Sequence, residues 1–562
     1  MKSSARALGL MLVMGLACSR SPLGLEVNVP ANVAIKWIEI GAFKDGSCPT
    51  LQPMLEGGLP EGYTARLAYQ KNDPAAPGFG RVPNAKYAFA GVARDESCAV
   101  VAAGCSEVDV GDADNIAIML GPVGTPKAAC PKGSVCEAAR CLPANDSADP
   151  SVGAGCSLEL LGAGPLANSS GQDGTVVSPP AIAASPGGFL LVYREIDPGI
   201  GTARLVLQPL DPSGGALKAE RPNLPGRCAA SADVERDGIG IALNESGAGT
   251  VVLSKASCTA DPPNPSLQML ALAVDDKGKM TLPQFIDSPS PNGTDVRLGP
   301  ARPSTARASN NVIVFTEGGA GKIATVKREE GIVQPRGTFG GNNITDAWVS
   351  ATDKVLALLS VGPGDPGSPP PGDAGADAGE GPIGSQSDTT VRLLMLKGDT
   401  DVQTVATSTT RPVTFPGTFG SLATTGERVL VVTDGAGPGR SVTYRAFDLG
   451  KEEEADTNGY SIEGAAKVTA ADVAIVGNRA YVAALQQGQV ALHVFDNATT
   501  ALTPLRNVLF SRQTRISGIN NVRDGSVAVA ASPTRVAVVW TTAKELGSND
   551  PAGGYAVFAC TQ

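Results

Sequence analysis

A single histidine, His493, sets the first limit on the chemistry open to this 562-residue chain. Nucleophile activation by imidazole, in Ser/His/Asp or Cys/His form, would have to run through that one residue. In Val490-Ala-Leu-His-Val-Phe495, however, period-two alternation puts Val490, Leu492 and Val494 on one strand face and His493 with Ala491 and Phe495 on the other, a structural position. Gly318-Gly-Ala-Gly-Lys322 has the glycines of a phosphate loop. Thr316 stands where the leading glycine belongs and Ile323 where the metal-binding hydroxyl belongs, so the segment reads as a hairpin turn. In Gly459-Tyr-Ser-Ile-Glu463, Glu463 replaces the second glycine of a nucleophile elbow, where a side chain crowds the turn. Asp109, Asp112, Asp114 and Asn115 make an acidic loop without the spacing or central glycine of a calcium hand, and Lys451-Glu-Glu-Glu454 reads as a solvated loop. Carboxylate pairs for glycoside cleavage depend on a separation that only tertiary structure sets. No position is therefore assigned a catalytic, cofactor-binding or metal-binding role, and the balance of these readings leans toward a non-enzyme while leaving enzyme status open.

Cysteine is the residue type with the most to say. There are eleven, and the first, Cys18, closes a distinctive N-terminus: Lys2 and Arg6, an uncharged run from Ala7 to Leu16, then small Ala17. As a helix that run rises about 15 Å, half a hydrocarbon core, so it suits an export signal and not a membrane span. Met14-Gly-Leu-Ala-Cys18 resembles the lipobox of bacterial lipoproteins, with Gly15 where the family more often has an aliphatic residue. The resemblance implies cleavage after residue 17, lipidation of Cys18, and a membrane partner held through acyl chains at about 0.8 kcal/mol per buried methylene. Ser19 after the cysteine, in place of an inner-membrane-retaining Asp, implies an outer-membrane address in the cell envelope.

The remaining ten cysteines are Cys48, Cys98, Cys105, Cys130, Cys136, Cys141, Cys156, Cys228, Cys258 and Cys560. An even number in an exported chain points to disulfides. The cluster Cys130-x5-Cys136-x4-Cys141-x14-Cys156 has neither the close C-x2-C pairs nor the nearby histidine of a zinc site. Connectivity stays open; Cys228 and Cys258 flank a hairpin-like stretch and are candidates for each other, while Cys156 and Cys560 bracket the C-terminal region and are placed to close it.

The elements that carry these residues are strands. Aromatics are 4% of the chain, while 68 glycines and 43 prolines make it turn-rich. The net charge of −10, about −12 after cleavage, repels phosphates and excludes nucleic acid as a partner. Residues 24–122 alternate in runs such as Val33-Ala-Ile-Lys-Trp-Ile-Glu-Ile40 and read as a small β-sandwich, similar to immunoglobulin-like or transthyretin-like modules in strand number. A Cys-rich disulfide segment follows at 123–160, then a linker at 161–175, with residues 18–23 as the tether before the sandwich.

From residue 176 to 562 a pattern repeats: strand, polar turn, apolar strand. Its copies are Ile182–Tyr193, Thr305–Phe315, Trp348–Leu359, Leu422–Thr433, Val473–Ala484 and Val529–Trp540, with a less regular one at Ala232–Leu243. Their second strands start at 189, 239, 312, 355, 429, 480 and 536, a base spacing of roughly 45–55 residues, as one propeller blade requires. The region resembles β-propeller repeats of secreted bacterial proteins, which implies an all-β fold of a small sandwich followed by a seven-bladed β-propeller. A Gly/Pro/Asp/Ala tract at 362–387 reads as a disordered insertion. The competing architecture is two stacked sandwiches divided at that tract. The Asp box of sialidase propellers is absent, and Val473–Leu505 resembles the quinoprotein-type repeat of outer-membrane assembly propeller lipoproteins.

Three functions follow as expectations. The first is a binding or assembly scaffold that presents the propeller to a protein partner. The second is a surface polysaccharide hydrolase or lyase using carboxylates in the propeller funnel. The third is glycan binding by the sandwich through Trp37 or exposed tyrosines.

Overall fold

The computed structural model describes residues 24–561 apart from 73–77, 144–156, 167–179, 223–227, 231–238, 259–265, 283–293, 302–309, 364–388, 398–411, 435–441, 451–459, 462–467, 497–502, 510–524, 543–552 and several breaks of four residues or fewer. The signal segment, Cys18, the tether 18–23, Cys156, Asp112 and Asp114 lie outside the described residues.

The N-terminal module is built from β1 (Gly24–Asn28), β2 (Trp37–Lys44), a helical turn α1 (Cys48–Leu51) continued by a 3-10 turn (Gln52–Gly57), β3 (Ala65–Gln70), β4 (Lys86–Arg94), β5 (Val100–Asp109), β6 (Asn115–Met119) and β7 (Gly121–Lys127). Strands β3-β2-β4-β5-β7 form one antiparallel sheet, and β1 and β6 pair in parallel as a second. Alternation along β2 explains the layering. Ile38, Ile40 and Ala42 point to a core shared with Leu67, Phe89, Ile116 and Ile118, beneath β1 and β6. Phe43 points the other way, under Leu51, Leu55 and Leu59 of the helical segment. On the same face Trp37 lies under the hairpin of β8 (Ser134–Glu137) and β9 (Arg140–Pro143).

Strand β10 (Ser157–Pro165) comes next, and it corrects the first part of the expected linker, residues 161–165; residues 167–175 lie outside the described residues. The backbone of β10 pairs from Ser157↔Thr561 to Pro165↔Gly554 with β37 (Gly553–Thr561), the last strand of the chain. The segment reads as linker because Gly162, Ala163 and Gly164 give it little apolar pattern; its stability comes from ladder bonds to a strand almost four hundred positions away.

Among the described residues the propeller has seven blades. Blade one is β11 (Ala181–Ser185), β12 (Gly188–Asp197), β13 (Thr202–Leu210) and β14 (Cys228–Ala230); blade two is β15 (Ile239–Leu243), β16 (Gly249–Cys258), β17 (Ser266–Val274) and β18 (Met280–Leu282). Blade three is β19 (Thr294–Ala301), β20 (Asn310–Glu317), β21 (Ala320–Lys327) and β22 (Ile332–Phe339), and blade four is β23 (Asp346–Ala351), β24 (Val355–Pro363), β25 (Thr389–Lys397) and β26 (Val413–Pro416). Blade five is β27 (Gly420–Thr425), β28 (Arg428–Asp434), β29 (Val442–Asp448) and β30 (Tyr460–Ser461), and blade six is β31 (Val468–Val476), β32 (Arg479–Gln486), β33 (Gln489–Asp496) and β34 (Thr503–Leu509). Blade seven joins β35 (Gly525–Ala531), β36 (Arg535–Thr542) and β37 to β10, so strands from both ends of the repeat region close the ring.

The first strands β11, β15, β19, β23, β27, β31 and β35 touch one another in cyclic order, which rules out two stacked sandwiches. Apolar clusters fill the gaps between blades. Phe189, Leu191 and Tyr193 of blade one meet Val539, Tyr555 and Val557 of blade seven. Val482 and Phe495 of blade six meet Leu430 and Tyr444 of blade five. Both faces of each blade are thus covered, and this is why the strands read as continuous Val/Leu/Ala runs.

Three repeat boundaries differ from the sequence pattern; in blade three the first strand is β19, ahead of the expected copy at Thr305–Phe315, whose residues 305–309 lie outside the described residues. Ile239–Leu243 is the first strand of blade two and not its second, which is β16; the two strands of that hairpin are both apolar, so the pattern fits either. At the insertion, Gly362 and Pro363 still pair with Thr390 and Thr389, so the hairpin ladder extends past the expected start at 362.

Burial of tyrosine between blades has a measurable consequence. The Tyr444, Tyr481 and Tyr555 phenols are pushed up by burial, so the unfolded chain loses these protons before the folded one does. Stability is expected to hold up to the ordinary phenol value, about pH 10, and to fall above it, read as guanidinium midpoints between pH 8 and 11.

Candidate functional site

Among the described residues, a buried group of four charged side chains sits where sandwich, Cys-rich hairpin and β10 meet. Glu39 is fully buried on the Trp37 face of β2. Arg66 of β3 donates Nε to Glu39 Oε1 at 2.8 Å and Nη2 to the Ala138 carbonyl at 3.1 Å. Arg94 of β4 donates Nε and Nη2 to Oε2, both at 3.2 Å, and Nη1 to the Cys98 carbonyl at 3.0 Å. Arg140 of β9 brings Nη2 to 3.4 Å from Glu39 Oε1 and Nε to 3.2 Å from Glu159 of β10. Burial alone would raise the Glu39 carboxyl; Arg66, Arg140 and Arg94 outweigh it and hold the pKa below the ordinary value. A carboxylate kept ionised among three guanidiniums is a poor proton donor or acceptor, and what it does is lock three segments together.

Disulfides fix the same region. Cys48 bonds Cys105, tying α1 to β5. Cys98 bonds Cys136 and Cys130 bonds Cys141, holding the β8–β9 hairpin over Glu39. Sulfurs of Cys98, Cys130 and Cys141 lie within 4.8 Å of one another, yet all three are in bridges and offer no thiolate for a metal. Cys136 and Cys141 face each other across the hairpin but bond elsewhere. Cys560 is opposite Leu158 in the β10–β37 ladder, and its expected partner Cys156 lies outside the described residues.

The hairpin also docks on the propeller through an ion pair that the repeat itself explains. In blade five Arg428 at the start of the second strand donates Nε to Asp448 at 2.9 Å; in blade six Arg479 does the same to Asp496 at 3.0 Å. The residue opposite Arg535 in blade seven is Ala559. Arg535 pairs instead with Glu137 of β8. The sequence carried this signal: Phe447-Asp448 and Phe495-Asp496 have their counterpart in Phe558-Ala559, where the acid is missing. Glu137→Ala and Arg535→Ala are each expected to cost about 1 kcal/mol, and the double variant little more than either, in a double-mutant cycle read by chemical denaturation.

Near the propeller axis Asp472 of β31 bridges three blades. Oδ1 accepts from Ser421 Oγ of blade five at 2.7 Å and Oδ2 from the Val529 amide of blade seven at 2.9 Å. Both oxygens are engaged by neighbouring blades, an arrangement suited to fixing blade positions. His493 is buried at 2% exposure, edge-on to Tyr444 between blades five and six, as its alternation implied. Glu317↔Ala320 pairing closes a tight hairpin, with Gly319 at φ +77°, and Gly318 lies outside the described residues. Ser461 lies in β30, paired through Thr443, and so is in a strand and not at a strand-to-helix elbow.

Trp37 corrects an expectation. It is 7% exposed and its Nε1 donates to the Cys136 carbonyl at 3.0 Å, under the hairpin, so it offers no face to a sugar. Tyr63 and Tyr69 are half-buried and Tyr87 is buried. Sequence reasoning misplaced Trp37 because the sheet face it occupies is covered by a segment about a hundred residues later. The sandwich does carry an open cavity of about 280 Å³ lined by Ala34, Ile35, Lys36, Gln70, Lys71, Asn72 and Glu96, of mixed polarity and without an aromatic platform.

No protein-family model matches the chain, and comparison with curated proteins finds no relative. Solved structures do share its form. Polysaccharide lyase Uly1 is similar at 10% identity and TM-score 0.41, over 68% of this chain and 90% of the lyase. A PL25 ulvan lyase solved bound to -[GlcA(1-4)Rha3S]- matches at 11% identity and TM-score 0.40, over 69% and 94%. The Dos1 propeller matches at 12% identity and TM-score 0.33, over 72% and 81%. The fold of this chain is all-β, a small sandwich joined to a β-propeller.

Proposed function

We propose that this chain is an exported, lipid-anchored binding or assembly scaffold that presents its propeller to a protein partner in the cell envelope. One observation carries the reading: β10 pairs both with β37 of blade seven and, at Ala163↔Arg66, with β3 of the sandwich. The module next to the anchored end and the last blade thereby share one nine-stranded sheet. A scaffold needs this rigidity, because a fixed orientation toward the membrane lowers the entropy lost when a partner docks. Asp472 is taken up in fixing blades five, six and seven and is not offered as a catalytic carboxylate.

Crosslinking on intact cells followed by pull-down is expected to recover a defined protein partner. Failure to do so, together with depolymerisation of an acidic polysaccharide by the purified chain, would replace this reading with the lyase one. Lipid anchoring is tested apart from this: a clickable fatty acid should label the wild type and not Cys18→Ser, and persisting label rejects the anchor.

A further inference from the structure

We propose that Cys228 and Cys258 form a fourth disulfide, which joins the first two blades of the propeller covalently. It stands independently of the binding reading.

Blades one and two are exceptional among the described residues: they share a single eight-stranded sheet, whereas blades three to six are separate four-stranded sheets. The link is β14, whose Ala230 pairs with Ala203 of β13 and whose whole length pairs with the far end of β16. The register is Cys228↔Cys258, Ala229↔Ser257 and Ala230↔Ala256. Strand β16 is ten residues long and changes neighbour along its course: Gly249–Leu253 pair with β15 of its own blade, and Ala256–Cys258 pair with β14 of the blade before. Between the two stretches its ladder with β17 shifts register. The outer half of β16 therefore belongs as much to blade one as to blade two, and the two cysteines stand directly opposite each other at that seam.

Directly opposed residues of an antiparallel pair have Cα atoms about 4.5 or 5.5 Å apart. Both distances lie inside the range of about 4.4–6.8 Å that a disulfide spans. The three bridges of the N-terminal region have Cα separations of 5.5, 5.1 and 5.3 Å. Cysteine accounting agrees. Those bridges use six of the ten cysteines after Cys18, leaving Cys156, Cys228, Cys258 and Cys560. Cys560 sits in blade seven opposite Leu158, away from the seam between blades one and two.

The bond forms by exchange with a disulfide-bearing oxidant. One thiolate attacks the donor disulfide to give a mixed disulfide, the second displaces the donor's remaining sulfur, and the donor leaves as a dithiol carrying the two electrons.

The test uses the full chain purified without reductant, denatured in iodoacetamide and digested with trypsin. Cleavage after Arg227, Arg236 and Lys255 puts the two cysteines on separate peptides, so a bridge appears as a linked pair in mass mapping. The expected result is a Cys228–Cys258 linked peptide with neither residue alkylated; in Cys228→Ser, Cys258 becomes alkylated while the three N-terminal bridges persist. Alkylation of both residues in the unreduced wild type, or a linked peptide joining either of them to Cys156 or Cys560, overturns the proposal. The wild-type map decides even if the variant fails to fold.

Discussion

Glu39→Gln is expected to lower the unfolding free energy by about 3–5 kcal/mol, the usual cost of removing one partner from a buried charge network. The change keeps side-chain shape and deletes only the charge. Arg66, whose side chain is fully buried, and Arg94 and Arg140, which are mostly so, then lose the carboxylate that they share. Guanidinium unfolding with the disulfides intact measures the loss. Glu96→Gln is the control: that side chain is 88% exposed, 4.0 Å from Lys36, and its replacement is expected to move stability by less than about 0.5 kcal/mol.

The pH dependence gives a second reading of the same group. Because the Glu39 pKa is depressed in the fold, its contribution is present above the ordinary carboxylate value of about 4.3 and is lost as pH falls through the folded value. The wild type should therefore lose stability below about pH 4 more steeply than Glu39→Gln. Equal acid slopes in the two proteins would show that Glu39 is not the group responsible.

Gly162→Val is expected to cost about 2–3 kcal/mol by forcing β10 away from its neighbours. A Cβ at this position would stand 2.4 Å from the Ser213 carbonyl oxygen and 2.8 Å from the Gly214 backbone, which cannot swing aside as a side chain would. Gly162 also lies at the register shift in the β10–β37 ladder, so displacement there weakens both the ring closure and the junction to β3. Thermal unfolding and trypsin resistance report the effect. Gly187→Ala, in a turn where nothing approaches a Cβ within 4 Å, should leave both unchanged. A wild-type melting curve for Gly162→Val would mean that β10 does not close the propeller.

Much of the propeller was legible because blade stacking imposes a repeated demand on the chain. Each blade needs two apolar strands around a tight turn, and the copies at Val429, Ala480 and Val536 satisfy it in almost the same letters. The closing strand was illegible for the opposite reason. In β10 the run Leu160-Leu-Gly-Ala-Gly164 has no turn-strand signature of its own, and its partner lies at the far end of the chain. The Arg535–Glu137 contact spans 398 residues, and only the missing acid at Ala559 marked it.

The Glu39 cluster shows where alternation misleads. In Trp37-Ile-Glu-Ile40 a charge between two isoleucines reads as the solvent face of a half-buried strand, and a tryptophan on that face reads as available to a ligand. Both are buried, because α1, the disulfide-held hairpin and β10 cover the face.

Composition, cysteine number and strand period by themselves determined an all-β, disulfide-containing chain with a lone structural histidine, since these follow from local backbone preference and residue chemistry. Tertiary structure alone decided which cysteines pair, which strand closes the ring, and that a glutamate and a tryptophan on an apparent solvent face are core. Those outcomes depend on contacts between segments far apart in sequence, and a local pattern carries no record of what will come to cover it.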